Sequence, residues 1–194
     1  MERLKLGCVV LAAGNARRFG ANKLAAELDG RSLIRRAMEA VPAGAFDSVV
    51  VVTQYPEIET LAQAFHFRPI RNEHPDFGIS HSIRLGLSAL TDCDGVVFLV
   101  SDQPLLRRES VAALVEFWRM QPDRIAALSH GGVRGNPCLF PARFFPELLN
   151  LREDRGGSAV IRKHEDCLAL LEVDGQELAD VDTPSALEAV QKNG

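Results

Sequence analysis

Apolar residues along this chain fall into two alternating kinds of run. Short unbroken stretches come first: Cys8 to Ala13, the valines of Ser48 to Thr53, and Val96 to Val100. Uninterrupted by polar residues, they read as strands buried on both faces, the pattern of a parallel sheet. Between them apolar positions recur at helical spacing. Leu33, Ile34, Ala37 and Val41 predict a helix over Ser32–Val41, after a brief apolar piece (Leu24 to Leu28) and a turn at Asp29–Gly30. Pro56 suits the first turn of a helix running to about Phe65, and Phe67 to Arg71 reads as a further strand. Ile83, Leu87 and Leu90 mark a helix that Ser80 or Ser82 could cap, and Val111, Leu114, Val115 and Trp118 mark another.

Beyond Pro122 the pattern changes. Ile125 to Leu128 is strand-like, and His130 to Asn136 reads as a turn-rich hairpin leading into PCLFP. Phe144 to Leu151 and Gly157 to Lys163 predict short helices, Leu168 to Val173 a strand, and Leu187 and Val190 a last helix after DVDTP. Strand–helix alternation of this kind predicts an α/β fold with a mostly parallel sheet, whose ligands bind at the carboxyl ends of the strands. No internal repeat, low-complexity segment or long linker divides the chain.

Composition changes this picture little. With 194 residues, 46% hydrophobic and 25% charged, the chain has the size and mix of one globular domain. A net charge of −4 disfavours coating of nucleic acid. Cys8, Cys93, Cys138 and Cys167 are scattered, with no CxxC pair to suggest zinc or a disulfide framework. The start, MERLKLGC, lacks the apolar region of a signal peptide, and no apolar run approaches membrane-span length; a cytoplasmic location is expected.

Candidate chemistry concentrates at strand ends. Val9 to Lys23 (VVLAAGNARRFGANK) runs from a buried strand into a loop with Gly14, Gly20, Arg17, Arg18 and Lys23. Glycines let backbone N–H groups approach an anion, Arg18 can fork onto two phosphate oxygens, and Lys23 adds a point charge. Neither a Walker A loop nor GxGxxG is present. Asp102, in SDQP directly after a buried strand, is placed as a Mg²⁺ ligand would be; it is equally placed to cap a helix beginning near Pro104. Asp180 and Asp182 form a second acidic point, where Asp182 or Thr183 can cap the last helix and Asp182 still has an oxygen to offer. Asn72, Gly78, Ser80 and Ser82 supply small polar groups suited to a base edge or a phosphate, or to an ordinary capped loop. His74, His81 and His130 show no metal-ligand spacing.

Taken in order, LAAGNARRFGANK, FGISHSIRLGL, VSDQPLL, RGNPCLF and DVDTPSAL resemble the signature segments of the MobA-like nucleotidyltransferases. They span nearly the whole chain, and LAAG, SDQP and RGNP look most like the molybdenum cofactor cytidylyltransferases. The resemblance implies a Rossmann-like three-layer α/β fold of the nucleotide-diphospho-sugar-transferase kind, forming one domain over 1–194. Nucleotide would bind about 1–104 and the acceptor about 105–194. It implies Mg²⁺-dependent nucleotidyl transfer from an NTP, by resemblance CTP, to the terminal phosphate of a molybdopterin-type cofactor, with pyrophosphate leaving. A molybdoenzyme would be a partner, and neither nucleic acid nor membrane would be involved. Transfer to a sugar or polyol phosphate, or a non-catalytic cofactor chaperone, are the alternatives.

Residue by residue, the resemblance implies that Arg18, Lys23 and Asp102 are catalytic, with Asp102 and Asp182 on the metal. Leu11, Ala12, Ala13, Gly14, Arg18, Lys23, Asn72, Gly78, Ser80 and Ser82 would surround the nucleotide. Gln103, Asn136, Pro137, Gly156, Gly157 and Ser158 would face the acceptor. The chain departs from the family pattern on that side. Asn136 stands where histidine is common, and EDRGGSAVI lacks the arginine usual near Ser158, for which Arg155 and Arg162 are the candidate substitutes.

Overall fold

The structure is a computed structural model that describes residues 3–14 and 23–193. Its described strands are β1 (Leu6–Ala12), β2 (Glu27–Leu28), β3 (Arg31–Ser32), β4 (Ser48–Thr53), β5 (Arg68–Arg71), β6 (Gly95–Val100), β7 (Ile125–His130), β8 (Val133–Pro141) and β9 (Leu168–Glu172). Its helices are α1 (Leu33–Glu39), α2 (Pro56–Ala64), α3 (Ile79–Ser88), α4 (Arg108–Arg119), α5 (Phe145–Leu149), α6 (Ser158–Ile161) and α7 (Pro184–Asn193). Among the described residues none of these helices is long and apolar enough to cross a membrane.

The central sheet runs β5-β4-β1-β6-β8-β7-β9. Its β5-β4-β1-β6 part is parallel, β8 is antiparallel to both β6 and β7, and β9 pairs parallel with β7. Alternation along each strand divides the core in two. Cys8, Val10, Val51, Val97 and Leu99 meet α1, α2 and α4 on one face, through Ile34, Met38, Ile58, Leu114 and Trp118. Val9, Val50, Val52, Val96 and Phe98 meet α3, α5 and α6 on the other, through Ile83, Leu87, Leu148 and Val160. Burial on both faces is why β1 and β6, and β4 between Ser48 and Thr53, show no polar position in sequence. The result is the expected three-layer α/β fold with a mostly parallel sheet.

Chain order around β1 positions the site. The chain passes from β1 to β4 and β5 on one side, then returns to place β6 on the other. Neighbouring loops therefore diverge at the carboxyl ends of β1 and β6, the crevice where ligands settle in such sheets.

The brief apolar stretch Leu24–Leu28 falls in a 3-10 turn (Lys23–Ala25) and in β2 of the β2–β3 hairpin. Three local expectations need correction. Ser32 caps α1 instead of lying in it, its Oγ accepting from the Arg35 N–H at 3.3 Å. Neither Ser80 nor Ser82 caps α3; the helix starts at Ile79, with Gly78 as the preceding residue and both serines buried in its first turns. Asp102 is not a helix cap, because α4 begins only at Arg108. The intervening loop is held by the C-terminal segment, where the Val181 N–H donates to the Asp102 carbonyl at 2.8 Å.

Candidate active site

A cavity of ≈ 430 Å³ opens at the carboxyl ends of β1 and β6. Leu11, Ala13 and Gly14 line it from β1, and Val100, Ser101 and Asp102 from β6. The two strand ends are tied together, with Ser101 Oγ donating to the Leu11 carbonyl at 2.8 Å. Gln54 Nε2 donates to the Ala13 carbonyl at 2.9 Å and the Tyr55 hydroxyl to that of Gly14 at 3.3 Å, so residues following β4 fix the turn after β1.

Lys23 is the electrostatic centre. Its Nζ donates to Asp102 Oδ2 at 3.1 Å and to Asp182 Oδ1 at 2.9 Å. The lysine side chain is only 15% exposed. Burial alone would lower its pKa, but the Asp102 charge beside it and the hydrogen bond to Asp182 outweigh burial and raise it. The ammonium is therefore protonated throughout the neutral range. Asp180, next to this pair, has its carboxyl pushed above the usual range, first by partial desolvation of the group and then by the Asp102 charge.

Asp182 reaches this point through several contacts. Thr183 Oγ1 accepts from the Ala186 N–H at 3.2 Å, so Thr183 caps α7 and the Asp182 carboxylate is left for Lys23. The Val181 N–H bonds the Asp102 backbone, and Gln103 Nε2 bonds Asp180 Oδ1 at 3.0 Å and the Leu178 carbonyl at 3.2 Å. Gln103 is 3% exposed, lines neither cavity described here, and serves as a tie between the two segments.

On the opposite rim stand Pro75, Asp76, Gly78, Ile79, Ser82 and Asp154. Asn72 holds this rim: its Nδ2 donates to Ser82 Oγ at 3.0 Å and its Oδ1 accepts from the His74 N–H at 2.9 Å. Asn72 and Ser80 are buried and line neither cavity, and Ser80 Oγ accepts from Arg84 at 3.3 Å. Ala12 is likewise buried beneath the turn. Arg18 lies outside the described residues.

A second cavity of ≈ 110 Å³ adjoins the first, sharing Leu11, Ile79 and Val100 with it. Asn136, Gly156, Gly157 and Ser158 line it, together with Arg134, Cys138 and Phe140 from the same strand as Asn136. Pro137, between them, is buried among other groups. Arg155 and Arg162 are exposed and line neither cavity. The guanidinium beside Ser158 is that of Arg134, whose Nη2 donates to Ser158 Oγ at 2.9 Å. Arg134, Asp76, Asp154 and Ser101 were not singled out as individual site residues in the sequence. For Arg134 a signal was there: 134, 136 and 138 share one face of a strand.

Comparison with known proteins agrees with this architecture. A sequence model of the MobA-like NTP transferase domain matches residues 8–167. The purine catabolism protein PucB of Bacillus subtilis is 30% identical over 197 residues, covering 95% of this chain and 95% of PucB. Among solved structures, a nucleotidyl transferase from Methanothermobacter (Mth528) superposes with a TM-score of 0.82 at 21% identity, covering 97% of each chain. Rv0371c of Mycobacterium tuberculosis, in a complex with manganese, superposes with a TM-score of 0.78 at 20% identity, covering 98% of this chain and all of that one (100%).

Proposed function

Since the chain belongs to the MobA-like NTP transferase family, and so to the nucleotidyltransferases, we propose that it transfers a nucleotidyl group from CTP to the terminal phosphate of a molybdopterin-type cofactor. The observation that carries this reading is the meeting of Lys23 with Asp102 and Asp182 at the rim of the larger cavity. The triphosphate lies in that cavity with Lys23 as a cationic contact; Arg18, outside the described residues, is the second cation that the family resemblance assigns to it. An acceptor phosphate oxygen bonds to the α-phosphorus as the α–β bridging bond breaks, and pyrophosphate leaves. A phosphate is already a nucleophile, so orientation and charge neutralisation suffice without a strong general base.

Asp102 and Asp182 fit a divalent cation. Both aim oxygens at one positive centre, and oxygen donors are what Mg²⁺ prefers. Mg²⁺ is typically held by one or two carboxylates, with substrate phosphates and water completing its shell. When bound, the ion would supply neutralisation of the developing charge on the transferring and leaving phosphates. The manganese held by the Rv0371c structure supports a divalent cation in this role. The nucleotide part draws mainly on 1–104 and the acceptor part on 105–194, with Asp154 and Asp182 crossing over to the nucleotide side.

Incubation with each of the four NTPs, Mg²⁺ and an acceptor panel tests the proposal through pyrophosphate release. Molybdenum cofactor freed from a molybdoenzyme should give release with CTP above other NTPs. Release only with a sugar or polyol phosphate would reassign the acceptor, and no release with any pair would sink the reading.

A further inference from the structure

The smaller cavity contains a charge that no carboxylate among the described residues balances. Arg134 is half-buried, and its polar partners are Ser158 Oγ, from Nη2 at 2.9 Å, and Cys138 Sγ, from Nη1 at 3.7 Å. Among the described residues it meets no carboxylate. The Cys138 thiol does not supply the missing charge: burial raises its pKa despite the neighbouring guanidinium, and its Sγ donates to the Gly135 carbonyl at 3.3 Å. Other inward-lying arginines are committed elsewhere. Arg36 meets Asp29 and the Leu28 carbonyl, Arg84 the Leu151 carbonyl, and Arg124 the Leu168 carbonyl. A guanidinium carries five donors and does not deprotonate, so a partly desolvated one facing open space calls for an anion.

Strand geometry shows how Arg134 comes to be there. Two steps along β7, Ala127 to Ser129, match four along β8, Cys138 to Arg134. This bulge keeps the parity of the strand while adding length, so Arg134, Asn136, Cys138 and Phe140 all line one cavity. The wall they form carries the polar groups of Arg134, Asn136 and Ser158. Facing them are Leu11, Ile83 and Leu148. A cavity of ≈ 110 Å³ takes a phosphate-sized group with little more.

We propose that Arg134, with Ser158 and Asn136, is the phosphate-recognising contact for the acceptor, seating an acceptor phosphate in the smaller cavity beside the nucleotide. This rests on the nucleotidyl-transfer reading for its catalytic consequence, but not for the binding itself. A seated guanidinium also offsets repulsion between the incoming acceptor phosphate and the triphosphate, two anions that must come into contact.

Titration of inorganic phosphate, followed by ³¹P NMR, tests the binding directly in the wild type, Arg134→Gln, Arg134→Lys and Lys23→Gln. Loss of a charged hydrogen-bonding partner should weaken phosphate binding about tenfold or more in Arg134→Gln. Arg134→Lys should recover part of it, and Lys23→Gln should keep the Arg134-dependent share. Circular dichroism checks that each variant is folded. In the transfer assay, Arg134→Gln should raise the acceptor KM about tenfold while the CTP KM stays put. Equal phosphate affinity in folded Arg134→Gln and wild type overturns the proposal, as does an unchanged acceptor KM. A wild type that binds phosphate through Arg134 yet releases no pyrophosphate with any acceptor would overturn the transfer reading and leave the anion site standing.

Discussion

At Gly78 the backbone holds φ 81° and ψ 178°, a region essentially closed to other residues. A Cβ there would also come within 2.5 Å of the Glu153 backbone, against which the Ser80 N–H already donates to the Glu153 carbonyl at 3.1 Å. The rim of the larger cavity depends on this close approach. Gly78→Ala should cost about 1–3 kcal/mol from backbone strain alone and weaken CTP binding with it. A urea melt with the wild-type midpoint would contradict this. Asp102 behaves differently. Among the described residues its side chain hydrogen-bonds only Lys23, while its carbonyl ties the Val181 N–H. Asp102→Asn should therefore lower turnover about a hundredfold or more while leaving the urea midpoint nearly unmoved, within about 1 kcal/mol. Turnover near wild type would remove Asp102 from the metal. Individual residues were legible in the sequence where a strand end fixes them, as at Gly14 and Asp102. Ser80 and Ser82 were legible as small polar groups beside a helix start, but the exact starting residue turns on Gly78's backbone geometry, which composition does not reveal.

Among elements, α4 shows what the alternating pattern leaves out. Its apolar stripe of Val111, Leu114, Val115 and Trp118 was plain in the sequence, yet its start was not. Arg107 precedes the helix and contributes no side-chain cap. Its N–H instead donates to Glu177 Oε2 at 3.0 Å, from a residue that is only 3% exposed. A distant carboxylate thus takes the place of a local cap, favoured by the positive end of the helix dipole. No local rule finds such a partner, because the signal lies 70 residues away. The same contact fastens the segment that carries Asp182. Glu177→Ala should destabilise the fold by about 1 kcal/mol by removing the hydrogen bond that a buried carboxylate makes to the Arg107 N–H, and should raise the Mg²⁺ concentration needed for turnover. Glu177→Gln keeps an accepting oxygen and should lose less in a urea melt. Equal losses in the two variants would mean that charge, and not the hydrogen bond, is what Glu177 supplies.

Over the whole molecule, the site is where three distant stretches of chain converge. Lys23 lies 79 residues from Asp102 and 159 from Asp182, and it bonds both. The sheet order explains the first meeting, since β1 and β6 are neighbours; the ties through Val181 and Gln103 explain the second. The family resemblance pointed to all three residues, but their bonding to one another could not be read from spacing, because it depends on long-range packing. That bonding has a consequence for how substrate enters. The chain is acidic overall, with a net charge of −4, and an NTP is a polyanion. In the described arrangement Lys23 bonds one oxygen of Asp102 and one of Asp182. If these carboxylates hold a divalent cation as proposed, metal and lysine would compete for them until a triphosphate drew the ammonium away. Metal and nucleotide should therefore bind cooperatively in the wild type. Lys23→Met removes the competitor: Mn²⁺ alone, followed by the EPR signal of the free ion, should bind more tightly than to wild type. CTP, followed by calorimetry, should bind about tenfold or more weakly. If Mn²⁺ alone binds Lys23→Met no better than wild type, the ammonium does not hold the place of the metal, and Lys23 serves the phosphates only.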